Sequence, residues 1–243
     1  MGERPRMELI MKDLSIRWIG QSGYILCDGE HEICIDPYLS NVVDRIAHRG
    51  RMVEAPISPE EIESDAIICT HNHLDHVDID AIPRMNKEKM RFLAPTDAKK
   101  TLLDCGVSDY IPFDVGSEFT LGNFKIRATP ARHSIPAVGV IIEHNGRKIY
   151  FSGDTEYDES LCSLAGEGID IMFICINGKL GNMNVSDAVK LTEIISPRLA
   201  IPTHYGMFES NTENPLKFTS QISNGFIMEH AKEYCLREML QNV

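Results

Sequence analysis

Over its first third the chain alternates apolar and polar residues in short runs, the period-2 pattern of half-buried strands. Residues 14–19, 22–27 and 32–36 read as three strands, with Gly20 and the Asp28-Gly29 pair as the turns between them. The stretch 39–57 is irregular and charged, and reads as a flap over whatever lies beneath it. Ser58-Pro59-Glu60-Glu61 carries the marks of a helix start: an N-cap serine, a proline in the first turn and a glutamate at the third position. An apolar strand over 65–70 follows. Thr96 opens a helix predicted over 97–105, which stops at Gly106.

The middle of the chain returns to strands, predicted over 118–121, 124–129, 138–143 and 148–152, the last two joined by the Asn145-Gly146 turn. Residues 169–176, apolar but for Asp170, read as a buried strand. Ser186 then caps a helix over 187–195 that carries Ala188, Leu191 and Ile195 on one face. Pro197 ends it, 199–203 is the next strand, and the tail from Pro215 onward reads as helical. Strand-rich stretches followed by helices, twice over, predict a layered α/β sandwich in one domain spanning residues 1–243.

Composition narrows the function. Hydrophobic residues make up 43% and charged residues 25%, the balance of a globular protein rather than a disordered one. The net charge of −12 lacks the basic footprint of a nucleic-acid binder. The amino terminus intersperses charges among its apolar residues, unlike a signal peptide, and the longest apolar runs, about six residues, are far short of a membrane span. Seven cysteines without a C-x-x-C spacing read as small packing hydrophobes of a reduced, cytoplasmic protein.

The chemistry concentrates in Thr70-His71-Asn72-His73-Leu74-Asp75-His76, directly after the 65–70 strand. In an extended segment residues two apart share a side, so His71 and His73 can hold one ion together. If the chain then turns into a helix, Asp75 and His76 can reach a second site. Imidazoles and a carboxylate suit Zn²⁺, Mn²⁺ or Fe²⁺. His133, Asp154 and His204 each follow a predicted strand, so four ligand-bearing segments leave strand ends, where α/β folds gather their sites.

These motifs resemble the metallo-β-lactamase superfamily, in its order, from Trp18 to about Phe218. The resemblance rests on Trp18-Ile19-Gly20-Gln21-Ser22, Ile35-Asp36-Pro37, the H-x-H-x-D-H motif, Gly153-Asp154-Thr155, the strand and loop 169–182 with the Met183-Asn184-Val185-Ser186-Asp187-Ala188 run after it, and the segment 201–208. It is closest to the small bacterial metal-dependent hydrolases and the L-ascorbate-6-phosphate lactonase branch. It implies a four-layer αβ/βα sandwich with two divalent ions, zinc or manganese, at one edge. One ion would take His71, His73 and His133, the other Asp75, His76 and His204, with Asp154 bridging. His at position 76 rather than Arg implies a complete second site. His at position 73 rather than Glu argues against an iron redox centre.

The expected reaction is hydrolysis by a hydroxide activated between the two ions, with Asp75 also taking or orienting the nucleophile's proton. A lactone or related ester of a small anionic metabolite is the leading substrate class, and a phosphodiester is the alternative. Asn177, Lys179 and Tyr205 are the candidate substrate residues, with Arg132 as a further anion contact. Arg45, His48, Arg49 and Arg51 form a local positive cluster suited to a phosphate-bearing molecule. A small-molecule substrate and a homo-oligomer are expected, without nucleic acid or membrane.

Overall fold

The computed structural model describes residues 13–241, so the charged amino-terminal stretch lies outside the described residues. Six strands come from the first half: β1 (Ser15–Gly20), β2 (Gly23–Cys27), β3 (Glu32–Ile35), β4 (Ala66–Ile68), β5 (Arg91–Ala94) and β6 (Tyr110–Pro112). The remainder supplies β7 (Glu118–Leu121), β8 (Phe124–Pro130), β9 (Val138–His144), β10 (Arg147–Phe151), β11 (Ile171–Cys175), β12 (Leu199–Thr203) and β13 (Glu233–Cys235). They form a seven-stranded sheet, ordered β13-β1-β2-β3-β4-β5-β6, and a six-stranded sheet, ordered β12-β11-β10-β9-β8-β7. Both are mixed. Hairpin-connected strands meet antiparallel, whereas β3 through β6 and β10 through β12 run parallel.

The two sheets face each other across one apolar core. Because side chains alternate along a strand, Ile33, Ile35, Ala66 and Ile68 point inward to meet Ile126, Val140, Ile142 and Phe173 of the second sheet. Phe173 lies 4.5 Å from both Tyr24 and Phe151, centroid to centroid, at the middle of this layer. The intervening residues Cys34, Ile67, Cys69 and Phe92 point the other way, into a second apolar layer closed by Leu102 of helix α2 (Lys99–Asp104). Helix α3 (Val185–Ile195) packs on β11 through its buried Ala188, Leu191 and Ile195. Helices thus cover outer faces of a two-sheet α/β sandwich. No helix among the described residues is long and apolar enough to cross a membrane.

Several local expectations shift. The helix start at Ser58 forms its capping box but yields one 3-10 turn, Pro59–Glu61. The helix predicted over 97–105 opens as a 3-10 turn, Thr96–Ala98, and becomes α2 only from Lys99. Asn184, not Ser186, caps α3, its side chain accepting from the Asp187 amide. The carboxy-terminal region is mostly irregular: only α4 (Leu216–Thr219) and α5 (Leu236–Gln241) are helical, and Glu233–Cys235 adds an edge strand to β1. Its buried apolar residues are Phe218 of α4, Leu236, Met239 and Leu240 of α5, and Met228 between them. Segment 39–57 contains a short helix, α1 (Val42–Ala47), whose Val42 and Val43 pack with Tyr38, Met207 and Phe208.

Candidate metal centre

Four loops meet at one edge of the sandwich, after β4, β8, β10 and β12. The loop after β4 makes no helix; a single turn, closed by the Val77 amide on the His73 carbonyl at 2.7 Å, gathers His71, His73, Asp75 and His76. His71 also bridges to Ala137, and Val138 donates to the Thr70 carbonyl, so this end of the two sheets is stitched together. After β10, Gly153 has φ +56°, and a Cβ there would stand 2.9 Å from the Val138 carbonyl oxygen. Only glycine lets the Asp154 turn approach so closely.

Three sets of ligand atoms each lie within 4.8 Å of one another: His71, His73 and His133; His71, His76 and Asp154; Asp75, His76 and His204. In the first set, His73 Nδ1 is 2.9 Å from His71 Nε2 and 3.1 Å from His133 Nε2. Lone pairs converging at such distances suit a cation. In the other sets, the buried His76 Nε2 and Asp154 Oδ1 have no hydrogen-bond partner, and they face each other at 3.4 Å. Buried polar atoms are rarely left unpaired. A divalent ion with nitrogen and oxygen ligands fits both clusters.

The charges follow from burial and neighbours. Burial pulls the His71 imidazole well below its usual range, helped by His76; His73 is lowered by burial and by His133. Burial also opposes charge on His76, but Asp36, Asp154 and Asp75 outweigh it and hold this imidazole well above the usual value. His204, likewise buried, is lifted to about 9, chiefly by Asp154. Burial would raise both carboxyls, yet His76 and His204 hold Asp75 and Asp154 low. All seven expected ligands are therefore in one electrostatically coupled group, and Asp75 is the more accessible carboxylate at its centre.

The supporting residues came only from the fold. Asp36 is fully buried; its carboxylate accepts from the Thr70 amide at 2.7 Å, the Thr70 hydroxyl at 2.8 Å and His76 Nδ1 at 2.8 Å. That bond fixes the His76 tautomer so that Nε2 faces the cluster. Gln21 donates through Nε2 to Asp75 Oδ2 at 2.8 Å and lies 3.0 Å from His204 Nε2. Asn182 donates to Asp154 Oδ2 at 2.9 Å, and the Gly181 carbonyl lies 2.9 Å from His133 Nδ1. Gln21, Asp36 and His204 all adopt left-handed backbone, at φ +52°, +44° and +59°. Such strain costs on the order of 1–3 kcal/mol per residue and concentrates at functional sites. The sequence signal was present in the Gly20-Gln21 and Ile35-Asp36-Pro37 runs, which carried no role there.

A cavity of about 400 Å³ opens above His73, Asp75, Asp154 and His204. Its remaining lining is Val43, Ala47, Arg49, Leu74, Ser134, Leu180, Phe208 and Asn211. The three residues expected at the substrate do not line it. Asn177 is buried and bonds Asn211 Oδ1 at 2.8 Å, Lys179 donates to the Ser210 carbonyl at 3.0 Å, and Tyr205 packs on Trp18 at 5.0 Å. Arg132 is paired with Asp158 and Glu156 outside. These side chains found partners closer than the cavity.

A family profile described as "Beta-lactamase superfamily domain" matches residues 31–205. A UPF0173 metal-dependent hydrolase of Methanosarcina barkeri is 30% identical, the match covering 87% of this chain and 92% of the relative. Another, from Archaeoglobus fulgidus, is 27% identical over 86% of this chain and 90% of its own. The chain therefore belongs to the β-lactamase superfamily and, within it, to the UPF0173 metal-dependent hydrolase family. Among solved structures, the metallo hydrolase Igni18 of Ignicoccus hospitalis superposes with a TM-score of 0.72 at 22% identity, covering 91% of this chain and 97% of that one. An isothiocyanate hydrolase from Delia radicum gut bacteria gives 0.75 at 19% identity, over 91% and 98%. At these identities the two structures share the fold.

Proposed function

We propose that this protein hydrolyses a lactone or related carboxylic ester of a small anionic metabolite, with two divalent ions, zinc or manganese, held by the seven ligands. One observation carries the reading: the unpaired His76 Nε2 and Asp154 Oδ1 sit in a ring of ligands at the floor of a small-molecule cavity. His71, His73 and His133 would hold the first ion and Asp75, His76 and His204 the second, with Asp154 shared between them. Bound there, divalent ions supply Lewis acidity and lower the pKa of water toward neutrality.

The chain's own groups do the rest. Asp75, lining the cavity and ionised, orients the attacking water and takes its proton; Gln21 holds the carboxylate in place from behind. Asp36 keeps His76 in one tautomer, and Asn182 orients the Asp154 carboxylate by donating to its Oδ2. Water adds to the carbonyl carbon, and Asp75 passes the proton it took to the leaving oxygen as the C–O bond breaks. The products are an acid and an alcohol, joined in one hydroxy acid when the substrate is a lactone, with no oxidant or reductant involved. Ser134 and Asn211, on the wall, offer hydrogen bonds to the developing oxyanion or the leaving oxygen.

The test compares an aliphatic lactone with bis(4-nitrophenyl) phosphate on protein loaded separately with Mn²⁺ and Zn²⁺, with Asp75→Asn as background. Lactone turnover well above the variant, with little phosphodiester cleavage, supports the reading. Preferential phosphodiester cleavage replaces it with the alternative, and full activity in Asp75→Asn removes the role given to Asp75.

A further inference from the structure

The positive cluster of segment 39–57 is resolved by the fold into residues with separate fates. Arg45 is paired with Asp80 in two bonds, at 2.6 and 2.9 Å. Arg51 turns inward, over the Tyr38 ring at 4.5 Å, and donates to the Tyr38 and Ser40 carbonyls at 3.0 Å each. His48 is exposed and does not line the cavity. Arg49 alone of the four faces the cavity, and it makes no hydrogen bond or ion pair among the described residues. Lys179 and Arg132, the other cations near the centre, are engaged elsewhere.

Arg49 is also held in place. Ahead of it, His48 closes α1 in a left-handed turn, its amide donating to the Asp44 carbonyl. Behind it, the Met52 amide donates to the Met207 carbonyl at 2.8 Å, and Arg51 clamps the start of the same segment. The fully buried Asp78 ties that segment to the metal-motif loop, accepting from the Leu39 and Ser40 amides at 2.9 and 2.8 Å. The backbone around Arg49 is thus anchored on both sides, and its side chain lines the same cavity as His73, Asp75, Asp154 and His204. Val43, Ala47, Leu74, Leu180 and Phe208 supply the apolar part of that lining.

Resting on the hydrolase reading above, we infer that Arg49 is the specificity-determining residue, and that the substrate is an ester or lactone with a short apolar body and one carboxylate. A guanidinium binds a carboxylate through two parallel hydrogen bonds. One unshared cation in a chain of net charge −12 balances a monoanion, and its field is concentrated by the apolar walls. A polyol phosphate, with a doubly charged head and several hydroxyls, would set those hydroxyls against five apolar side chains, with Ser134 and Asn211 as the polar wall groups outside the ligand set to meet them.

The test uses metal-loaded protein and two esters of equal length: the mono-4-nitrophenyl ester of adipic acid, which ends in a carboxylate, and 4-nitrophenyl hexanoate, which does not. Wild type favours the anionic ester, and Arg49→Gln lowers the ratio of the two kcat/KM values by about 10- to 100-fold, mainly through KM, as for loss of a charged hydrogen bond. Arg49→Lys, which keeps the charge but not the fork, falls between. Equal losses on both esters, or an unchanged ratio, overturn the assignment. If wild type cleaves neither ester, the hydrolase reading fails on its own account, and binding of monomethyl adipate to metal-free protein decides the question by calorimetry. Binding that weakens in Arg49→Gln keeps the anion site; no binding, or binding indifferent to Arg49, sinks it.

Discussion

Nδ1 of His76 lies 2.8 Å from Asp36 Oδ2, and both side chains are wholly shut off from solvent. The two residues are 40 positions apart, and the contact orients a ligand that would otherwise be free to choose its tautomer. Asp36 also fastens Thr70 at the mouth of the ligand loop, so one carboxylate fixes both the start of the loop and its last ligand.

Asp36→Asn should keep the fold's hydrogen bond to the Thr70 amide but offer His76 Nδ1 an N–H instead of an acceptor. The imidazole would then carry its proton on Nε2, the atom proposed to hold an ion. Metal affinity should fall by about 10- to 100-fold, the usual cost of losing such a support. Chelator competition on purified protein measures it; affinity unchanged from wild type would show that Asp36 only packs.

Gln21 supports Asp75 most directly in the metal-free protein, because there the amide is its closest donor. Gln21→Ala should cost about 1.5–3 kcal/mol of metal-free stability, the range for a hydrogen bond to a charged group. The cost should shrink on metal loading, when an ion takes over the carboxylate's charge. Denaturant unfolding with and without metal separates the two; equal losses in both forms count against it.

Gly181 has φ +85°, and a Cβ there would stand 2.9 Å from His133 Nδ1. Gly181→Ala should therefore displace His133 and strain the loop by about 1–2 kcal/mol. We expect one equivalent of bound metal to weaken far more than the other, since His133 belongs with His71 and His73. Metal titration of the variant reads this as two separated binding steps.

The charge pattern sets a pH dependence. His76 and His204 have raised folded-state pKa values, the latter about 9 against 6.5. Stability from such groups is fully present below pH 6.5 and lost as pH rises through the folded value. An ion competes with those same protons, so loading near about pH 7.5 should release protons, and affinity should climb with pH toward 9. His71 and His73, held low, are already neutral and add nothing to that release. Calorimetry in buffers of different ionisation enthalpy counts the protons, and a count of zero would contradict the assigned charges.

The sequence by itself determined the candidate ligands and their order, because H-x-H-x-D-H is a local spacing and because His133, Asp154 and His204 each follow a run apolar enough to read as a strand. It also determined the two-sheet α/β sandwich, through the alternation that sends Ile33 and Ile35 one way and Cys34 the other. Weakly patterned pieces such as β6, β13 and the carboxy-terminal region were decided by the sheet edges available to them. Only the tertiary structure decided which neighbours support the ligands: Gln21 meets Asp75 across 54 residues, and Asn182 meets Asp154 across 28. It also decided among Arg45, Arg49 and Arg51. Nothing in four closely spaced cations says which will find a carboxylate, which a carbonyl and which an open cavity, since that depends on Asp80 and Phe208 arriving from other parts of the fold and on the segment looping back onto the Tyr38 carbonyl.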